Sequence, residues 1–262
     1  MPELHDNQEE KLKNIYKKTQ RGWPRLCLAG KLQSPIELTN KFAYHVPFPA
    51  ITLKNFHKIE KFQIFNPSDT IVIKLPNVCY CKRPKLSGAC LNKEFTLENI
   101  HFHWPSEHVI DGIRYDFETH FVFFDGRFGS FQSALGRPNG ITVMAILFMK
   151  TNFTRSNNFK TLANAAKLVS KAGRSSVCDK PIDLYQFLPY DHTTFYCYQG
   201  SLSTPGCFEH VNWIVFKNTS NISIWDFKNL TTIYSRIGQL IGSNNRQLQK
   251  LNDRIVSIRD VV

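Results

Sequence analysis

Three histidines stand where their chemistry would converge. His101 and His103 lie two apart in the apolar stretch NIHFHW, and His120 follows in FETHFVFF. In an extended strand alternate side chains share a face, so His101 and His103 point one way while Phe102 and Trp104 point the other. The intervening PSEHVIDGIRY carries turn chemistry in Pro105 and Asp111-Gly112, which predicts that the chain folds back and lays His120 beside the pair. Three neutral imidazoles on one face can meet at a single metal ion at about 2.0–2.1 Å per bond. Three nitrogen ligands suit zinc, and a fourth position left to water makes such a site catalytic. A lone strand histidine is ordinarily a core or surface side chain. Here a carboxylate, Glu118, shares the face of His120 at a spacing of two and is placed to accept from its second ring nitrogen, fixing tautomer and orientation.

Such a cluster needs a rigid sheet beneath it. From Trp23 onward short apolar runs alternate with turn residues, and FQIFN, TIVIKL, NIHFHW, FETHFVFF, ITVMAILFM and VNWIVFK read as strands. The segment NVCYCKRPKLSGACLNKE (77–94) reads as a loop. One helix is expected over Asn157–Ala172, with Leu162, Ala166 and Val169 on one face and Gly173 to end it. A weaker amphipathic stretch spans Trp225–Ile237. No repeat or linker divides the chain, so residues 23–262 are expected to form one β-rich domain behind a polar, mobile arm at 1–22. A composition of 42% hydrophobic and 13% aromatic residues supplies a core and excludes a disordered chain.

The 33 Lys and Arg against 21 Asp and Glu give a net charge of +12, which attracts anionic partners. No nucleic-acid motif or basic run accompanies it, so a generally basic surface is expected and no nucleic-acid partner. The longest apolar run, 141–149, is too short to span a bilayer, and no transmembrane segment is expected. Residues 1–22 lack the apolar stretch of a signal peptide. Seven cysteines and four Asn-X-Ser/Thr sequons, at Asn152, Asn218, Asn221 and Asn229, nevertheless predict a secreted glycoprotein whose leader is missing ahead of Met1, with a cytoplasmic location as the alternative. No oligomeric state follows from these features.

HFHW, SEH and ETH, in this order, resemble the zinc-binding signature of the α-class carbonic anhydrases. GKLQSPIEL (30–38), YQGSLSTPGCFEHVNWIVF (198–216) and NNRQLQKLNDR (244–254) resemble further motifs of that family, so the resemblance runs from Trp23 to about Arg259. It implies an α+β, mainly β, single domain on a large, mostly antiparallel, twisted central sheet with a few surface helices. It also implies that His101, His103 and His120 hold Zn2+. The metal lowers the pKa of its bound water, and the resulting hydroxide converts carbon dioxide to bicarbonate and a proton.

By the same resemblance Ser203, where the family usually has threonine, and Glu107 orient the nucleophile, with Thr204 beside the substrate. Asn99, where the family usually has glutamine, supports the first zinc histidine, and His108 with Tyr198 braces the site. Val122, Val143, Leu202, Val211 and Trp213 match the apolar wall for carbon dioxide. Asp69, or Ser68, falls at the proton-shuttle position, where fast members carry histidine. An exposed aspartate, with a pKa of about 3.9, is a poor shuttle at neutral pH, so slow proton export is expected unless His45 or His57 substitutes. Tyr16 is the candidate for part of the family's N-terminal aromatic motif. The resemblance pairs Cys27 with Cys207. Cys79, Cys81 and Cys90 share a loop that allows a local bridge, Cys197 reads as a buried thiol, and the pairing of these and of Cys178 is left open. The alternative function is a catalytically silent carbonic-anhydrase-like module that holds an anionic partner.

Overall fold

Continuous apolar runs give the central strands two buried faces, and the fold packs both. The computed structural model describes residues 22–75, 78–153 and 156–260. The expected arm up to residue 21, with Tyr16, lies outside them. The main path of a 13-stranded sheet uses β1 (Tyr44–His45), β2 (Phe62–Phe65), β3 (Val72–Lys74), β4 (Phe95–His103), β5 (Phe117–Phe124), β6 (Ile141–Thr151), β7 (Ser175–Cys178), β8 (Phe195–Ser201), β9 (Glu209–Phe216) and β10 (Val256–Arg259). Their spatial order is β7-β2-β3-β4-β5-β6-β9-β8-β10-β1. Neighbours along this path are antiparallel except β6 with β9 and β10 with β1. The mainly β architecture on one large central sheet, with a three-stranded and a two-stranded sheet beside it, agrees with expectation.

In β5, Phe117, Phe121 and Phe123 join one hydrophobic cluster, while Val122 and Phe124 join the cluster on the opposite face. β6 and β9 divide alike: Met144, Ile146 and Ile214 on the first face, Val143, Ala145, Val211 and Trp213 on the second. Two helices, α1 (Asn157–Leu168) and α2 (Ile224–Thr231), cover the first face through Phe159, Leu162, Ala166 and Leu230. The second face is left to the site.

β4 changes face partway along. Phe95 and Leu97 pack in the first cluster, yet His101 and His103 point to the other side. The register supplies the reason: Asn99 pairs with Val122 and Leu97 with Phe123, so Glu98 is an extra residue in a β-bulge. Between β4 and β5 the chain folds back as expected through a ribbon of Val109–Ile110 and Ile113–Arg114. At its tip Asp111 (φ 47°) and Gly112 (φ 79°) meet the demand of a two-residue turn for two left-handed residues.

Both helices end earlier than the sequence predicts. α1 stops at Leu168 because the Ser170 carbonyl accepts from Tyr234 N (2.8 Å) and Asn66 Nδ2 (3.0 Å) rather than from a next turn. Gly173 is left-handed, but its N–H donates to the Asn66 carbonyl at 2.7 Å, outside the helix. α2 stops at Thr231, where Thr231 and Thr232 hydroxyls donate back to the carbonyls of Phe227 and Lys228.

Cys27 and Cys207 form the expected disulfide. Cys90 bridges to Cys197, which corrects both the local bridge and the buried thiol. Those two residues are 107 apart in sequence, and only the packing of the loop against β8 brings them together. Cys79, Cys81 and Cys178 remain free thiols. No helix among the described residues is long and apolar enough to cross a membrane.

Candidate metal centre

The pairing of β4 with β5 sets His101 directly opposite His120 and His103 opposite Glu118. Ring centroids lie 5.1 Å apart for His101 and His103, 5.2 Å for His101 and His120, and 4.5 Å for His103 and His120. One nitrogen from each ring falls within 4.8 Å of the others.

Each ring commits its other nitrogen to an acceptor. His101 Nδ1 donates to Asn99 Oδ1 (3.0 Å), His103 Nδ1 to the Asn244 carbonyl (3.3 Å) and His120 Nε2 to Glu118 Oε1 (2.7 Å). A neutral imidazole that donates from one nitrogen carries a lone pair on the other. The three lone pairs therefore sit on His101 Nε2, His103 Nε2 and His120 Nδ1. His103 Nε2 is buried without any hydrogen-bond partner. Burial lowers the His101 pKa strongly and that of His120 to a lesser degree, and it keeps both rings neutral. An orphaned buried nitrogen within a set of three outward lone pairs fits a zinc ion, whose structural chemistry favours nitrogen donors. Asn99, despite its shorter arm, reaches its histidine.

Glu118 is fully buried and does double duty. Its Oε1 accepts from His120 and also from His108 Nδ1 at 2.6 Å, while Oε2 accepts from the His108 backbone N–H at 2.8 Å. Burial alone would raise its pKa, but the two imidazoles outweigh that and hold the carboxyl well below its usual range. These bonds account for the close approach of His108, Glu118 and His120, so no second metal is needed there. His108 Nε2 meets Tyr198 Oη at 2.8 Å, and Tyr198 Oη lies 2.9 Å from Ser34 Oγ. Trp213 stacks on Tyr198 and presents an edge contact to His120, with centroids 4.9 Å apart. Gly200 permits this crowding. A Cβ there would strike Ser34 Oγ and lie only 2.7 Å from Tyr198 and 2.8 Å from Trp213.

The C-terminal segment closes the rear. The Asn244 side chain accepts from Trp104 N at 2.7 Å and donates to the carbonyls of Phe102 and Asp69 at 2.9 Å each. Arg246 is buried; its backbone N–H donates to Glu107 Oε1 (2.8 Å) and its guanidinium to the carbonyls of Ser34 and Cys27. Asn244 and Arg246 both sit in NNRQLQKLNDR, but nothing in that stretch by itself points to their roles here.

Other expected positions divide. Val122, Val143, Val211 and Trp213 are buried together on the site's face of the sheet, with Leu202 half-buried beside them. Ser203 is buried and Thr204 half-buried. No hydrogen bond joins Ser203 to Glu107, and Glu107 Oε2 is buried without a partner. Asp69 is half-buried rather than exposed, and burial raises its pKa. It lines a cavity of about 490 Å³ with Trp23, Pro205, Ile237 and Ile241. Neither suggested substitute lines that cavity: His45 lies on edge strand β1, 4.0 Å from Asp260, and His57 lines a separate one.

A family model described as eukaryotic-type carbonic anhydrase matches residues 17–260. Carbonic anhydrase 6 of Bos taurus is 30% identical over 238 residues, covering 87% of this chain and 72% of its own length. Putative carbonic anhydrase 5 of Caenorhabditis elegans is 28% identical over 244 residues, 90% of this chain and 78% of its own. Receptor-type tyrosine-protein phosphatase zeta of Rattus norvegicus is 30% identical over 219 residues, which cover 78% of this chain but 9% of that protein. The chain belongs to the eukaryotic-type carbonic anhydrase family.

Proposed function

We propose that this chain holds one zinc ion through His101, His103 and His120 and catalyses the reversible hydration of carbon dioxide to bicarbonate and a proton. The observation that carries this reading is the set of three imidazoles, each turned by its own acceptor so that a lone pair faces the same point. When bound, zinc supplies a Lewis acid that brings the pKa of a water down to about 7. The protein's residues do the rest. Asn99, the Asn244 carbonyl and Glu118 hold the three tautomers, and Tyr198 and His108 fix Glu118. Val122, Val143, Leu202, Val211 and Trp213 offer apolar carbon dioxide a dry wall. Glu107 Oε2 has no partner here; a Ser203 hydroxyl turned to donate to it would leave the Ser203 oxygen to accept a hydrogen bond from the attacking oxygen and so orient it. Thr204 lies beside the substrate.

Asp69 stands in the path of the departing proton. Its raised pKa makes it a better acceptor than an exposed aspartate, but it lacks the near-neutral titration of histidine, so proton export limits turnover. Two disulfides, with sequons at exposed Asn152 and Asn221, support an extracellular location.

Metal analysis and stopped-flow carbon dioxide hydration test the reading, with His103→Ala as control. One zinc per chain and hydration that rises with imidazole concentration are expected. A second reading, a silent binding module, draws on the missing Ser203–Glu107 bond; stoichiometric zinc without hydration would favour it.

A further inference from the structure

The loop ahead of β4 carries two thiols that the metal centre does not use. Cys79 and Cys81 are both exposed, belong to neither disulfide, and hold their Sγ atoms 2.8 Å apart. A 3-10 turn over Tyr80–Lys82 sets this spacing, with Lys82 N donating to the Cys79 carbonyl at 2.8 Å. Asn55 Nδ2 anchors the turn by donating to the carbonyls of Cys81 and Arg83, each at 3.3 Å. The hydrogen bond from Cys81 lowers the Cys79 pKa, assisted by backbone N–H groups and Lys82, while the same contact raises that of Cys81. One sulfur is thus biased towards thiolate and the other towards thiol, the division that separates an attacking cysteine from a resolving one. Beside the pair lies a cavity of about 360 Å³ with a largely apolar wall of Ile59, Phe62, Val78 and Val177, in which Lys58 pairs with Glu60 at 3.1 Å and Lys82 carries a further positive charge.

We propose that Cys79 and Cys81 form a thiol–disulfide exchange site for small anionic disulfides of the glutathione disulfide class. The Cys79 thiolate attacks one sulfur of the disulfide, forming a mixed disulfide and expelling one small thiolate. Cys81 then gives up its proton and attacks the Cys79 sulfur, closing the Cys79–Cys81 bond and expelling the second. The chain loses two electrons and two hydrogens, and the small disulfide gains them as two thiols. Lys82, whose charge acts on the Cys79 sulfur, draws the anionic partner towards it.

The test uses the full chain with both native bridges intact. It is equilibrated in glutathione redox buffers, acid-quenched, alkylated, cut with trypsin and read by mass spectrometry. Residues 75–82 carry both thiols on one peptide, and Cys178 falls on another. The expected result is joint loss of both alkylation sites on 75–82 while Cys178 stays alkylated. Cys81→Ser then accumulates a glutathione adduct on Cys79, and Cys79→Ser reacts about tenfold more slowly with the less ionised thiol left behind. Glutathione disulfide outpaces cystamine, a cationic disulfide, at low salt. Independent oxidation of the two thiols, no adduct in Cys81→Ser, or equal rates for Cys79→Ser and the native chain would overturn the proposal, and a preference for cystamine would overturn its anionic specificity.

Discussion

Replacing Glu118 by glutamine keeps the side chain's shape but removes its charge and turns one acceptor into a donor. The carboxylate now takes three N–H groups: His120 Nε2 at 2.7 Å and His108 Nδ1 at 2.6 Å on one oxygen, and the His108 backbone at 2.8 Å on the other. An amide has a single oxygen. If that oxygen faces the imidazoles, its NH2 meets the backbone N–H of His108; if it is reversed, the NH2 meets both rings. The second arrangement favours a tautomer of His120 with the proton on Nδ1, the nitrogen turned towards His101 and His103. Either way a buried donor is left unmet, at a cost of about 1–3 kcal/mol. Loss of an outer partner of this kind weakens metal affinity by about 10- to 100-fold, or about 1.4–2.8 kcal/mol. Glu118→Gln is therefore expected to bind zinc 10- to 100-fold more weakly, by about that factor in competition with a chromophoric chelator at neutral pH, and to melt at lower temperature. Affinity within about threefold of the native chain, with an unchanged melting temperature, would refute the claim that Glu118 holds His120 in its ligating tautomer.

Asp125 accepts from Arg127 and Lys93, which hold its carboxyl well below the usual range. Because its folded pKa is depressed, its contribution is present above the unfolded value of about 3.9 and lost as pH falls towards the lower folded value. Asp125→Asn should thus unfold more readily at pH 7, by about 1–3 kcal/mol in denaturant titration, with the gap to the native chain shrinking below pH about 4; a gap independent of pH would count against this. The Cys90→Ala, Cys197→Ala pair, which opens a loop of 107 residues, should lose about 2–5 kcal/mol of stability, and unchanged unfolding would rule the bridge out. Gly200→Ala should cost about 1–3 kcal/mol by crowding Tyr198 and Trp213, measurable as a lower melting temperature, and a neutral effect would contradict the close packing described.

The strands that carry the site were legible because period two is written in their side chains: FETHFVFF alternates Phe117, Thr119, Phe121 and Phe123 against Glu118, His120 and Val122. The turn between β4 and β5 was legible for the same local reason, since Asp111-Gly112 is turn chemistry in two residues. What escaped is non-local. The bulge at Glu98 has no signature of its own and emerges only from pairing with β5. The acceptor for His103 is a backbone carbonyl, that of Asn244, 141 residues away, and a carbonyl has no residue type to read. Cys90 found Cys197 across the fold instead of its neighbours Cys79 and Cys81. The end of α1 moved because tertiary donors, Tyr234 N–H and Asn66 Nδ2, take the Ser170 carbonyl in place of a next helical turn. Asp69 looked exposed because its burial depends on Trp23 and Ile237, distant segments that wall the same cavity.

Zinc K-edge X-ray absorption on the purified full chain reads the donor set of the three-histidine site itself. One zinc per chain is expected, with three imidazole nitrogens at about 2.0–2.1 Å and one further light-atom ligand open to exchange, all lost in His103→Ala. A spectrum dominated by sulfur at about 2.3 Å, or a chain that holds no zinc at equilibrium with the free ion, would contradict it.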